Sequence, residues 1–222
     1  MELANLIGTS TDLAPIMRLF LVMTALMFIP TIIFMMTSFI RIIISFSFIK
    51  SALGVTQAVP NQILIGLALC MTIFIMAPVT SEINESSLKP YFEKEITIEQ
   101  AIKNAEKPIR SFLLKQTREE DIKLFVDNSP LINKDETLSK NDVPLHALVP
   151  AFAISELKTA FSIGFLIYIP FIVIDLVVSS TLMSMGMFML APAMISLPFK
   201  LLLFIMVDGW NLIIKSLIMS FS

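Results

Sequence analysis

Between Arg18 and Arg41 the chain runs from Leu19 to Ile40 without a charged residue. As a helix that run is about 33 Å long at ~1.5 Å per residue, enough to cross a hydrocarbon core of about 30 Å. A second uncharged run, Ser51 to Ser81, is bounded by Lys50 and Glu82 and holds the apolar centre Ile63 to Val79. Two such runs predict a first apolar helical hairpin over 19–81, its turn marked by Arg41 and Lys50. Positive charge beside that turn would hold it on the cytoplasmic side and place the next segment of the chain on the far side.

From Glu82 to Asp142 the pattern reverses, with 13 of the 18 acidic and 10 of the 16 basic residues of the chain. Charges at that density face water, so 82–146 reads as a hydrophilic, extracytoplasmic insert. Thr97 and Gln100 match a capping box, and Pro108 can open a further helix with Ile109, Phe112 and Leu113 on one face. Two short amphipathic helices are expected, then a turn over Asp127, Asn128, Ser129 and Pro130 and a polar loop through Asp142. The segment 1–18 carries Glu2 and Asp12 where a cleavable signal would have a basic start, so insertion is expected to rely on the first apolar run.

The last region, 147–222, is apolar again but carries Glu156, Lys158, Asp175, Lys200, Asp208 and Lys215. Pro170, Pro192 and Pro198 interrupt it, which predicts broken helical segments meeting near Met185 to Pro192. The fold class implied is an all-α membrane protein: two apolar helical hairpins with kinked or broken helices, separated by a hydrophilic helical insert.

Composition also excludes functions. A net charge of -2 offers no cationic face for nucleic acid. The single cysteine, Cys70, and single histidine, His146, assemble neither a disulfide framework, a metal site nor a catalytic triad, and no phosphate-binding glycine loop is present. No cofactor, metal or catalytic residue is assigned, and an enzyme is not expected.

Several long stretches carry a resemblance: MMTSFIRIIISFSFIKSALG (Met35 to Gly54), PNQILIGLAL (Pro60 to Leu69), KQTREEDIKLF (Lys115 to Phe125), PAFAISELKTAFSIGFLIYIPFIVIDLVVSS (Pro150 to Ser180) and LPFKLLLFIMVDGWNL (Leu197 to Leu212). In this order they resemble the FliP-type family of flagellar and injectisome export-gate proteins. The family's Gly-Met-Met-Met stretch reads here Gly186, Met187, Phe188, Met189, with Ala191 where a second proline is common. The resemblance implies a homo-oligomeric ring of five copies in the bacterial inner membrane, within the flagellar basal body. It implies FliQ- and FliR-type small subunits, FlhA- and FlhB-type neighbours, and unfolded flagellar proteins as the substrates conducted. It also implies helices that stack largely above the membrane plane, so the apolar runs can be buried against protein.

Within that frame Met187, Phe188 and Met189 are the candidate gate. Methionines at every second position, Met183 to Met189, suit no single helix face, and Gly186 and Pro192 bracket a loop. Generic packing is the alternative, since Met fills gaps readily. Glu156 and Lys200 need partners in apolar surroundings. The expectation is a pair between Glu156 of one copy and Lys200 of the next, the alternative being water or pairing within the chain to Lys158 or Asp208. Arg41 reads as an interfacial anchor whose stem snorkels. Asp175 and Asp208 read as proton relays or as groups capped locally, Ser179 and Ser180 standing one turn beyond Asp175. The competing function is a secondary transporter or ion channel with a midplane charged site.

Overall fold

The computed structural model describes residues 13–132 and 142–221. The N-terminal twelve positions of the 1–18 segment, and positions 133–141 of the polar loop, lie outside the described residues. Every regular element among the described residues is helical, as the sequence predicts.

The chain divides into two units, 1–35 and 36–222. The first holds α1 (Leu13–Met35). The second holds α2 (Phe39–Leu53), α3 (Asn61–Ile83), α4 (Lys89–Phe92), α5 (Ile98–Gln116), α6 (Glu119–Asp127), α7 (Leu145–Ser184), α8 (Pro192–Met206) and α9 (Gly209–Met219). By length and composition two helical runs can cross a membrane: α3 continued through a π-helical turn into α4, and α7. The bent pair α8–α9 makes a third if it forms one span, its axes meeting at 62°.

Residues 41–50 are not a turn; they lie inside α2. Its inward stripe, Arg41, Ile42, Ser45, Phe46, Ile49, Ala52 and Leu53, recurs at helical spacing. The turn falls later, after Gly54, and Lys50 reaches across it to the Asn61 carboxamide oxygen at 2.7 Å. On sequence the two charges mark water, but Arg41 is 3% exposed and so marks no boundary.

Ile42, Phe46, Ile49, Leu64 and Ala68 of α2 and α3 pack with Phe171, Phe204, Ile213 and Leu217 into the main core. Each fully buried Ile or Phe contributes about 1.5–3 kcal/mol by removal from water. Where α2 crosses α7 the backbones approach closely at Gly164. A Cβ there would lie 2.4 Å from the Phe48 ring, well inside van der Waals contact.

In the insert, α5 starts at the expected capping box: the Gln100 amide donates to Thr97 Oγ1 at 3.4 Å and the Thr97 amide to Gln100 Oε1 at 3.1 Å. Pro108 does not open a helix, since α5 runs through it. A mid-helix proline loses one hydrogen bond, and this one is buried on the packed face of an otherwise amphipathic helix. The α6 helix then turns back, and Leu113, Ile122, Val143, Leu148 and Phe152 form a second core where the insert meets the start of α7. Its polar edge is Asp121, 1% exposed, which accepts from Ser155 Oγ at 2.6 Å and pairs with Lys158. Burial alone would raise its carboxyl, but the hydrogen bonds from Lys158 and Ser155, with the charges of Lys158 and Arg118, hold it below the usual range.

Pro170 does not break α7, which continues for 40 residues, and Pro198 lies inside α8 without ending it. The break the sequence did not mark is at Asp208, which adopts a left-handed φ of 49° between α8 and α9.

Gly164→Val overpacks the α2–α7 crossing and lowers thermal stability by about 1–3 kcal/mol; adding Phe48→Ala restores part of it, measured by melting the purified protein in detergent. For Asp121, a lowered folded value means its contribution is present above the unfolded value of about 3.9 and is lost as pH falls through the folded one. Limited proteolysis of the insert across that acid range shows the loss, and in Asp121→Asn protection is lower at neutral pH and no longer changes there.

Candidate functional site: an exposed methionine loop on a charge-locked frame

The segment between α7 and α8 is built by its sequence. Gly186 takes a left-handed φ of 75°, a conformation glycine adopts without Cβ strain. Its amide donates to the Met183 carbonyl at 3.0 Å and the Met187 amide to the Leu182 carbonyl at 3.0 Å, the double bond of a Schellman cap. The chain re-enters a helix at Pro192, the first residue of α8, where a missing amide proton costs nothing.

What lies between is apolar and open to solvent. Met187 is 40% exposed, Phe188 78% and Met189 101%, and Met185 and Leu190 are exposed beside them. The structure thus places the three candidate gate residues together on one loop tip. Apolar side chains grouped on a tip in this way mark a surface that another apolar surface meets.

Elsewhere in this region Glu156, Lys158, Asp175 and Lys200 find partners within the chain. Glu156 of α7 is fully buried and is gripped by the guanidinium of Arg41, whose Nε donates to Oε2 at 2.9 Å while a second nitrogen meets Oε1. The remaining Arg41 donors reach the Ser220 carbonyl and hydroxyl, both at 2.9 Å, and Gln116 Oε1 at 3.1 Å. Phe221 closes the group, its ring centre 3.8 Å from the guanidinium carbon. Arg41 is therefore no snorkelling anchor; it ties α2, α5, α7 and the C-terminal residues into one frame.

Lys200 of α8 is likewise inside, 6% exposed. Its ammonium donates to Asp175 Oδ2 at 2.6 Å and to the Ala52 carbonyl at 3.2 Å. Ser196 supplies the other Asp175 oxygen with a hydrogen bond of 2.6 Å. The expected local cap from Ser180 is not made, because that hydroxyl donates to the Leu176 carbonyl.

Within one chain Glu156 and Lys200 are not brought together. Each has its own partner within the chain. Their partners, Arg41 and Asp175, are residues to which the sequence pattern assigns other roles. One signal pointed to Arg41: it stands on the same helical stripe as Phe46 and Ile49. His146 meets Ser129 at 3.3 Å on an exposed surface, and no group of three or more metal-ligating residues occurs among the described residues.

The family model described as "FliP family" matches residues 22–217. A Bacillus subtilis protein named flagellar biosynthetic protein FliP is 51% identical over 99% of this chain and 99% of its own length. Proteins of the same name from Pectobacterium carotovorum (49% identical, 90% of this chain and 76% of theirs) and Aquifex aeolicus (44%, 95% and 87%) are also similar.

Removing one partner of the buried Arg41–Glu156 pair leaves a charge without compensation, which costs about 3–5 kcal/mol. Glu156→Ala and Arg41→Ala should each lower the melting temperature sharply. Arg41→Lys does not restore it, since an ammonium lacks the planar fork. The double variant Arg41→Met with Glu156→Leu recovers most of the loss, measured by thermal unfolding in detergent.

Proposed function

The chain belongs to the FliP family, flagellar biosynthetic proteins of the export apparatus, and on that footing we propose that it is a channel-forming subunit of the flagellar export gate whose pore is sealed by Met187, Phe188 and Met189. The observation that carries this reading is the exposed apolar loop. Met and Phe at a convergence point exclude water and ions by contact, yet a thioether side chain with three rotatable bonds reshapes around whatever passes. A closed gate for unfolded polypeptide needs both properties, because the passenger presents every kind of side chain in turn.

Assembly is supported by the apolar face that α7 leaves open. Its first part is packed within the chain at Leu148, Phe152 and Glu156, while Phe161, Phe165, Leu166, Ile172, Leu176 and Val177 are exposed farther along. That apolar face needs a cover. Sister copies supply it in a ring of five, completed by FliQ- and FliR-type subunits and approached by FlhA- and FlhB-type proteins. The complex sits in the bacterial inner membrane at the flagellar basal body and passes unfolded flagellar proteins. Its role is passage, with no catalytic step and no cofactor.

Replacing Met187, Phe188 and Met189 together by glycine leaves the ring assembled but removes the seal. Small ions then leak through the reconstituted complex, read as conductance across a planar bilayer or as loss of a cellular ion gradient. Unchanged conductance in assembled complexes would overturn the proposal.

A further inference from the structure

The first turns of α8 have an inverted pattern. The residues α8 buries, Ser196, Lys200 and Phe204, stand four apart on one stripe, so its loop-proximal half turns polar groups inward and leaves Met194, Ile195 and Phe199 exposed. Both polar groups end on one carboxylate, Asp175 of α7, Ser196 at Oδ1 and Lys200 at Oδ2, each at 2.6 Å. A groove of about 470 Å³ opens beside them, lined by Val177, Thr181 and Leu182 of α7 and Ile195 and Phe199 of α8. On the far side, Lys200 is anchored to the α2 backbone at Ala52.

We infer that Asp175 is a positioning residue for the methionine loop: by holding Ser196 and Lys200 it fixes the start of α8 against α7 and so sets where Met187, Phe188 and Met189 stand. Asp175 lies ten positions before the Met185 cap on α7, and Ser196 four positions after Pro192 on α8. At ~1.5 Å per residue the contact sits about 15 Å from the loop along one helix and about 6 Å along the other. The loop is therefore short enough, and its ends close enough to the contact, for a change there to move the tip.

The cluster is asymmetric in a way that suits a latch. Ser196 is fully buried and Lys200 nearly so, while the Asp175 side chain is 37% exposed. The cation is stored inside and the carboxylate is the end that solvent or a passing chain can reach. Losing that carboxylate frees α8 from α7 at its loop end, while Phe204 still holds the far end against Phe171.

This inference rests on the gate reading, so its test separates the two. A spin label at Met185→Cys, in a Cys70→Ser background, reports loop mobility, and bilayer conductance reports the seal. Asp175→Asn raises label mobility and ion flux by about tenfold, the population change that one charge-assisted contact commands, in complexes that still assemble. Asp175→Glu, which keeps the carboxylate, returns both readings toward the parent. Because Asp175→Asn leaves Lys200 poorly compensated, Asp175→Leu with Lys200→Met is made beside it, removing both charges. Label mobility in that double variant decides the matter: increased mobility supports the latch, and mobility equal to the parent overturns it. Should the triple-glycine loop leak while the double variant leaves the label as immobile as in the parent, the latch falls and the gate stands. Should the triple-glycine loop fail to leak while the double variant mobilises the label, the gate falls and the positioning role stands.

Discussion

A guanidinium and a carboxylate away from water are stable only while each satisfies the other, and this is the constraint on which the chain's second unit is organised. Arg41 and Glu156 are 115 positions apart, yet both are buried and joined at both carboxylate oxygens. The geometry uses what distinguishes arginine from lysine: five donors in a fixed plane, two aimed at Glu156 and the others at Ser220 and Gln116. Such a group specifies register more than it adds stability. One arrangement of α2, α5, α7 and the C-terminal residues satisfies every donor, and any slip leaves a charge stranded. At the N-cap of α2, the buried hydroxyl of Ser38 has no hydrogen-bond partner among the described residues, an unmet group of the sort this frame otherwise avoids.

What the sequence disclosed and what it withheld divide along the range of the interactions involved. The alternation of apolar and charged stretches, the capping box at Thr97 and the bracketing of the methionine loop by Gly186 and Pro192 are local, and all appear in the structure. Proline marks fewer breaks here than its chemistry suggests. Pro108, Pro170 and Pro198 each remove one hydrogen bond, but α5, α7 and α8 are held by packing along their lengths, and one lost bond does not outweigh it. Asp208 gives no such signal, since an aspartate tolerates the left-handed region without announcing it.

Charge partners were the least legible feature, for a physical reason. Sequence shows that Glu156 and Lys200 each need a counter-charge; it does not show which of several distant ions is delivered to them. Arg41 looked like a boundary marker because its neighbours on either side are apolar. The same surroundings equally describe an arginine buried among them, and only the partner 115 positions away distinguishes the two.

The placement of these charges bears on carrier against gate. A midplane carboxylate that binds and releases an ion must be free to exchange partners. Glu156 has both oxygens committed to Arg41, and Asp175 has one to Ser196 and one to Lys200. An incoming cation would have to displace a buried cation, exchanging one full charge for another with no gain in solvation. The surface left uncommitted is apolar instead and includes Phe188 and Met189 at the loop tip. Ionic bonds fix the helices, and the exposed loop is left with weak, non-directional contacts. That division suits the proposed seal, which would have to reform after each passage without finding a particular partner.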